Sequence, residues 1–484
     1  MKKKLALFLL FVCFLSGQFL FAQTYPTGAV LDPVLYDTVP LKAVQLSRAY
    51  TSIPAAYSLK QYAPTPNSQG KYGTCSGWAS AYAARTIAES IALNRTDRFL
   101  NTQNVFSPLF VYKNVRFLYY EDRYPSGNDG TSILYTLVFL KTEGAIKMPN
   151  NELSLLIQNF NLSDYSDKNR YRRYPIADYT RLYSSYIADN TKTQMVKKSI
   201  SEKKPVIIAI TCPPSFHSKV LGSKEVWYPT ENPYTVDPST GKKYGGHALC
   251  VVGYDDNKYG GAFEIQNSWG TDWGNGGFIW IPYTVFNDFA VEAYEMIENL
   301  AVEKDVVEFS GSVQIELFNS RQGMPVRFSD GYYRTVNSYS SGTEFRYLLG
   351  NGKPAYVYAF ASDSGSKTTT RIFPPEEQNI SPVLDYSENV VALPGEKLWI
   401  KLDQRIGTDY LVVLYAKEAL DIDNIRRRFT EANGSFPERV AKAVGENYIP
   451  TNKAKYESNE IRFSAGSPNR KAVFGLLLAI DHRD

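Results

Sequence analysis

A chain of 484 residues with 44% apolar and 14% aromatic side chains can pack two or three domains, and large-scale disorder is excluded. Its formal charge of +4 falls to +1 when the three lysines of residues 1–22 are set aside, because that stretch holds no acid. No basic field for a nucleic-acid partner is then left.

The chain begins with Lys2-Lys-Lys4, an apolar run from Leu5 to Leu15, and Phe19-Leu-Phe-Ala22 before Gln23. This is the layout of a secretory signal peptide over residues 1–22. Ser16-Gly-Gln18 interrupts the run short of a bilayer-spanning length, and no later segment is apolar enough to span. The expectation is an exported protein, periplasmic or extracellular, with no membrane span after signal cleavage. Export removes Cys13 and leaves Cys75, Cys212 and Cys250, so at least one thiol stays free or pairs between molecules. With His217, His247 and His482 these cysteines form no zinc pattern, and neither metal nor cofactor is expected.

Residues 23–66 are rich in Pro and Tyr with little periodicity. They read as an extended leader lying on the surface, a short pro-segment over 23–59 that is open to trimming. Next comes Gln69-Gly-Lys-Tyr-Gly-Thr-Cys75-Ser-Gly-Trp78, followed by apolar residues at three- and four-residue spacing through Ile91. A helix is predicted to start at Cys75, where unpaired N–H groups and the helix dipole favour a thiolate. The same stretch fits a small apolar residue opening a core helix equally well.

From 76 to about 210 the pattern is mostly helical. Ser107-Pro108 marks a helix start, and the loop ending in Gly130-Thr-Ser132 opens another helix that Gly144 closes. Residues 150–192 carry no assignable chemistry. Thr193 to Glu202 reads as a helix and Pro205 to Thr211 as a buried strand, with Cys212 structural at its end. Gly245 to Tyr254 and Ala262 to Gln266 form a hairpin that brings His247 and Asn267 to the same end. An amide oxygen bonded to one ring nitrogen would fix the imidazole and leave the other nitrogen for proton transfer. A histidine beside glycines is also compatible with a plain turn residue.

Chemical need joins these fragments. A cysteine nucleophile for acyl transfer wants an imidazole beside it, a group that orients the imidazole, and donors aimed at the developing oxyanion. Cys75, His247 and Asn267 fit the first three roles. Gln69 and the Cys75 backbone N–H fit the last, with Trp269 covering the His–Asn bond. These blocks, with Asn267-Ser-Trp269-Gly…Trp273-Gly, resemble the papain-like cysteine peptidases over about residues 60–300. The resemblance implies an α+β, two-lobed fold with a helical left lobe carrying the cysteine and a β-barrel-like right lobe carrying His and Asn. It also implies polypeptide substrates and a glycine-lined groove near Gly130. The family's usual cysteine before the nucleophile is absent, and Ser76-Gly77 stands where an aromatic is expected. His247 follows Cys75 by 172 residues, more than the family's roughly 130–150. An insertion in 150–192 or 213–243 is expected to account for the excess.

Residues 301–484 read as a β-sandwich-like domain with a charged helix or helix pair between Leu420 and Val444. The segments around Pro354 and Leu393 resemble an uncharacterised bacterial β-domain appended to exported enzymes. This domain is expected to bind a protein or an envelope component, and His482 to be solvated in a charged tail. The leading expectation is an exported cysteine peptidase. Its alternatives are an inactive peptidase-like surface-binding protein and a transpeptidase or acyltransferase using the same acyl-enzyme.

Overall fold

The computed structural model describes residues 25–484 apart from 123–127, 150–170, 188–189, 218–224, 235, 237–240, 242, 299–305, 365–367 and 387–388. The signal peptide lies outside these residues. So do the loop before Asn128 and parts of both stretches expected to hold an insertion.

Helices dominate the part of the first domain that follows the leader. One runs from Cys75 to Ala92, with its central stretch Trp78–Arg85 wound as a π-helix, a widening that often marks functional sites. The helix Pro108–Tyr119 starts as expected, with Ser107 Oγ accepting from Phe110 N at 2.9 Å. Ser132 caps Ile133–Thr142 in the same way, and Gly144, at φ +77°, ends that helix by donating to Phe139 O.

Seven strands form the other half: β1 (Ala56–Ser58), β2 (Asp178–Arg181), β3 (Val206–Thr211), β4 (Gly246–Asp255), β5 (Ala262–Gln266), β6 (Phe278–Pro282) and β7 (Ala290–Ile297). They make one antiparallel sheet in the order β2-β7-β3-β4-β5-β6, with β1 added on β4. Among the described residues β2 and β6 stay at the edges, so the sheet is open and the expected barrel does not close. The helix that carries Cys75 packs on β3 and β4, burying Trp78, Ala81 and Ile87 in one core with Ile208, Ala248 and Ile265.

The second domain is a β-sandwich. Its strands are β8 (Val307–Leu317), β9 (Val326–Ser329), β10 (Tyr332–Ser340), β11 (Glu344–Asn351), β12 (Ala355–Asp363), β13 (Thr370–Phe373), β14 (Val383–Leu384), β15 (Asn389–Leu393), β16 (Ile400–Lys401), β17 (Gly407–Ala416), β18 (Lys455–Tyr456), β19 (Arg462–Ser467) and β20 (Val473–Arg483). One sheet runs β13-β12-β17-β20-β10-β9 and the other β15-β11-β8-β19-β18, with an apolar core between them. The helices Ile422–Glu431 and Phe436–Val444 cover the outer face of the first sheet through Ile425, Phe429 and Val440. Strand β10 escaped the sequence reading because its second half is polar and pairs in parallel with a strand far along the chain. His482 is not in a solvated tail. Strand β20 carries it between β17 and β10, where Nδ1 meets Asp409 Oδ2 at 3.1 Å and Nε2 meets Ser341 Oγ at 2.9 Å.

The leader joins the two domains, contrary to the expectation of a surface strand. Leu41 N donates to Asn379 O, Ser381 N donates to Leu41 O, and Lys42 N donates to Arg181 O. Lys42, 3% exposed, pairs with Glu295 of β7 and with Asp385 of the sandwich. Lys204 reaches Asp385 at 3.1 Å, and Tyr386 donates to Glu295 at 2.9 Å. Burial alone would raise the Asp385 pKa, but Lys204 and Lys42 hold it well below the usual carboxylate range. Replacing Lys42 by methionine leaves two buried acids facing one remaining cation. We expect a loss of about 3–5 kcal/mol, read as a lower denaturant midpoint.

Candidate active site

Pairing of β4 with β5 sets the first contact. His247 is the second residue of β4 and Asn267 follows the end of β5, so hairpin closure brings them together. His247 Nε2 and Asn267 Oδ1 lie 2.8 Å apart, and the same oxygen accepts from Ser268 N at 2.7 Å. An oxygen held this way can only accept, so Nε2 carries the hydrogen and Nδ1 keeps its lone pair. Nδ1 is buried and has no hydrogen-bond partner among the described residues. The indole of Trp269 stacks on the imidazole at 4.4 Å between centroids and 22° between planes, shielding the His–Asn bond. Burial lowers the His247 pKa to about 3, against the opposing pull of the Asn267 bond.

Cys75 meets this hairpin from the helical side. Its Sγ accepts from Ala248 N at 3.5 Å, so the thiol lies against the residue that follows His247. The thiol is fully buried, and burial pushes its pKa up to about 12 although the N–H groups of Ala248 and Ser76 oppose the shift. Desolvation thus favours the thiol here, against the preference for a thiolate that a helix N-terminus gives. Ser76 and Gly77 are packing solutions. Ser76 Oγ donates to Thr131 O at 2.7 Å, and a Cβ on Gly77 would fall 2.5 Å from Pro108 O of the crossing helix.

Gln69 is stitched to the Asn–Ser–Trp block. Its backbone N donates to Ser268 O at 2.8 Å, and Ser268 Oγ donates to its Oε1 at 2.6 Å. With the oxygen fixed, Nε2 is aimed at carbonyls, reaching Tyr72 O at 2.6 Å and Pro26 O at 3.3 Å. Ser268 was not singled out in the sequence, although its place between Asn267 and Trp269 was the available signal.

Residues 67–298 match the family described as papain family cysteine protease. Over this segment the chain is similar to the papain family. An uncharacterized peptidase C1-like protein of Acanthamoeba polyphaga mimivirus is 25% identical over 233 residues, which is 46% of this chain and 65% of that protein's length. Xylellain, a cysteine protease from Xylella fastidiosa, is 21% identical at a TM-score of 0.41, covering 57% of this chain and 96% of that one. A structure of the mite allergens Blo t 1 and Der p 1 is 19% identical at a TM-score of 0.42, covering 56% and 80%.

In this papain-like domain the cleft is filled by the chain's own leader. Tyr25 stacks on Trp269 at 4.8 Å, and its N donates to His217 Nδ1 at 3.2 Å. The Pro26 carbonyl accepts from Trp269 Nε1 at 3.0 Å as well as from Gln69. Gly28 and Ala29 donate to Gly246 O, Val30 N donates to Thr131 O, and Thr131 N returns a bond to Gly28 O. Gly130 and Gly246 make the slot narrow enough to close. A Cβ there would fall 2.1 Å from Gly28 O and 2.3 Å from Ala29 O respectively. Gly130, expected in a substrate groove, thus lines the slot that the leader occupies.

Two further residues share this end of the cleft. Cys212 Sγ lies 3.5 Å from His217 Nε2, and His217 stacks on Trp269 at 5.1 Å. Cys212 reads from the sequence as structural, and His217 carries no assignment there. Both are brought in when β3 ends beside β4 and the short helix Pro214–His217 turns back over Trp269.

Proposed function

We propose that this chain is an exported cysteine peptidase that hydrolyses peptide bonds through Cys75, His247 and Asn267, with Gln69 as oxyanion donor. The observation that supports the reading is the 2.8 Å bond from His247 to Asn267 under the Trp269 ring, which leaves the Nδ1 lone pair without a partner among the described residues, and we assign that nitrogen as the base for the Cys75 thiol. Once the leader leaves, Cys75 passes its proton to Nδ1 and its sulfur attacks the substrate carbonyl. Gln69 Nε2 and the Cys75 N–H stabilise the oxyanion. The imidazolium protonates the leaving amine, and water activated by neutral His247 then releases the acid and restores the thiol.

Hydrolysis of unfolded casein by protein lacking residues 23–31, with none by its Cys75→Ala form, is the expected result. Equal rates for the two would overturn the reading. Added amines that divert the acyl group into new amides would instead place the chain among the acyltransferases.

Ser268 is the positioning residue for Gln69. Ser268→Ala is expected to lower kcat about tenfold with little change in KM, since only oxyanion stabilisation is disturbed. The comparison is made by steady-state kinetics on a short peptide.

The proposed location is periplasmic or extracellular, resting on the layout of residues 1–22. Among the described residues no helix is long and apolar enough to cross a membrane. For the β-sandwich we propose a role in binding a protein or an envelope component.

A further inference from the structure

Asn267 does not only face His247. It also lines a cavity with about 10 Å³ of room for the centre of a water molecule, together with Trp78, Tyr82, Ala83, Ala248 and Gln266. Three of these residues carry a buried polar atom without a hydrogen-bond partner among the described residues, namely Asn267 Nδ2, Trp78 Nε1 and Gln266 Oε1. Trp78, Gln266 and Asn267 are 1%, 3% and 4% exposed, so bulk water does not reach these atoms. A buried polar group left unpaired is costly, and three around one small cavity call for a shared partner.

The remaining polar groups are engaged elsewhere. Tyr82 donates its hydroxyl to Thr65 O at 2.7 Å, and the Ser268 hydroxyl is taken by Gln69 Oε1. Gln266 Nε2 donates to Pro64 O at 3.3 Å, which fixes that amide with its oxygen as the unpaired atom. One wall comes from the π-helical stretch Trp78–Arg85, whose small residues Ala79 and Ala83 leave the room.

We propose that this cavity binds one water molecule, and that through it Gln266 is a positioning residue that keeps the oxygen of the Asn267 amide on His247. This rests on the cysteine-peptidase reading above, in which His247 must hold its hydrogen on Nε2. Two donors and one acceptor select the ligand. A water oxygen accepts from Trp78 Nε1 and Asn267 Nδ2 and donates one hydrogen to Gln266 Oε1, about the three bonds usual for a buried water. A cation would face two N–H donors, and an anion would face the Gln266 oxygen. With Gln266 taking the water's hydrogen, the nitrogen end of the Asn267 amide is satisfied in the cavity, and Oδ1 stays with His247 Nε2 and Ser268 N. Without Gln266 the water lacks that acceptor, and the Asn267 oxygen becomes the replacement. Turning it inward presents Nδ2 to the imidazole, which must then carry its hydrogen on Nδ1 and loses its base.

The test reads the His247 tautomer by nitrogen NMR on the full chain labelled with ¹⁵N-histidine, which holds three histidines in all. At pH 7 burial keeps His247 neutral, and the hydrogen is expected on Nε2. Gln266→Met is expected to raise the ratio of Nδ1–H to Nε2–H about tenfold, the worth of one hydrogen bond. Trp78→Phe removes a donor instead, so the ratio is expected to stay as in the unchanged chain. A crystal structure of the full chain should show one water within hydrogen-bond distance of all three atoms. A dry cavity, a ratio that Gln266→Met leaves unchanged, or a ratio that both substitutions raise alike would overturn the proposal. Gln266→Leu carries the same expectation if the methionine variant does not fold. Casein hydrolysis by the protein lacking residues 23–31 reports separately on the peptidase reading. The expected tautomer change in a chain that hydrolyses nothing would uphold the positioning of Asn267 and reject that reading.

Discussion

Alanine at His247 is expected to lower kcat/KM of the leader-free enzyme by about 10³ or more, with the loss in kcat. Without the imidazole, Cys75 has no base for its proton and the leaving amine has no acid. The neighbouring imidazole cannot substitute, because His217 Nε2 is directed at Cys212 and its Nδ1 faces Tyr25 N in the closed state. The fold should survive, since Asn267 Oδ1 keeps its bond from Ser268 N and the Gln69–Ser268 contact is untouched. Thermal melting checks the fold, and single-turnover kinetics on an activated ester checks the step. A drop of less than tenfold at unchanged fold would remove His247 from the base role.

Deleting residues 23–31 is expected to change reactivity as strongly in the other direction, raising the rate of Cys75 labelling at neutral pH by at least a hundredfold. With the leader in place, burial moves the thiol from 9.0 up to about 12 and the imidazole from 6.5 down to about 3. Both shifts favour the uncharged pair, so the closed state resists formation of the thiolate–imidazolium couple that the reaction needs. The pH dependence of closure follows. The depressed His247 leaves closure unopposed above about pH 6.5 and weakens it as pH falls from 6.5 towards 3, because only the open cleft takes up the proton. The raised Cys75 acts at the other end, leaving closure unopposed below about 9 and weakening it as pH rises towards 12. His217, also lowered by burial, adds to the acid side. Labelling of the full chain should therefore rise below pH 6.5 relative to the leader-free protein, and a constant ratio across pH 4–7 would rule out this coupling.

Much of the candidate site was legible in the sequence because its parts are tied to local structure. The helix at Cys75 follows from apolar spacing, and the His247–Asn267 contact follows from a hairpin whose strands and turn are all punctuated in the chain. The block Asn267-Ser-Trp269 then supplies the cover over that contact without further long-range information. In the second domain β10 and β15 were not legible although both carry strand-forming residues, since the polar second half of β10 and the five-residue length of β15 leave no alternation to read.

The leader marks the boundary between what the sequence determined and what tertiary structure decided. Its Pro, Tyr and Thr content and lack of periodicity read as an extended segment, but they say nothing about where such a segment docks. An extended segment leaves its backbone groups to be satisfied by whatever surface offers partners, and those partners are Gly246, Thr131, Asn379 and Arg181, remote in sequence. Lys42 reads as a surface charge until Glu295 and Asp385 meet it from two domains. The residues that can react were thus set by local sequence. Whether they are free to react was set by burial, which shifts the same Cys75 and His247 towards the uncharged pair.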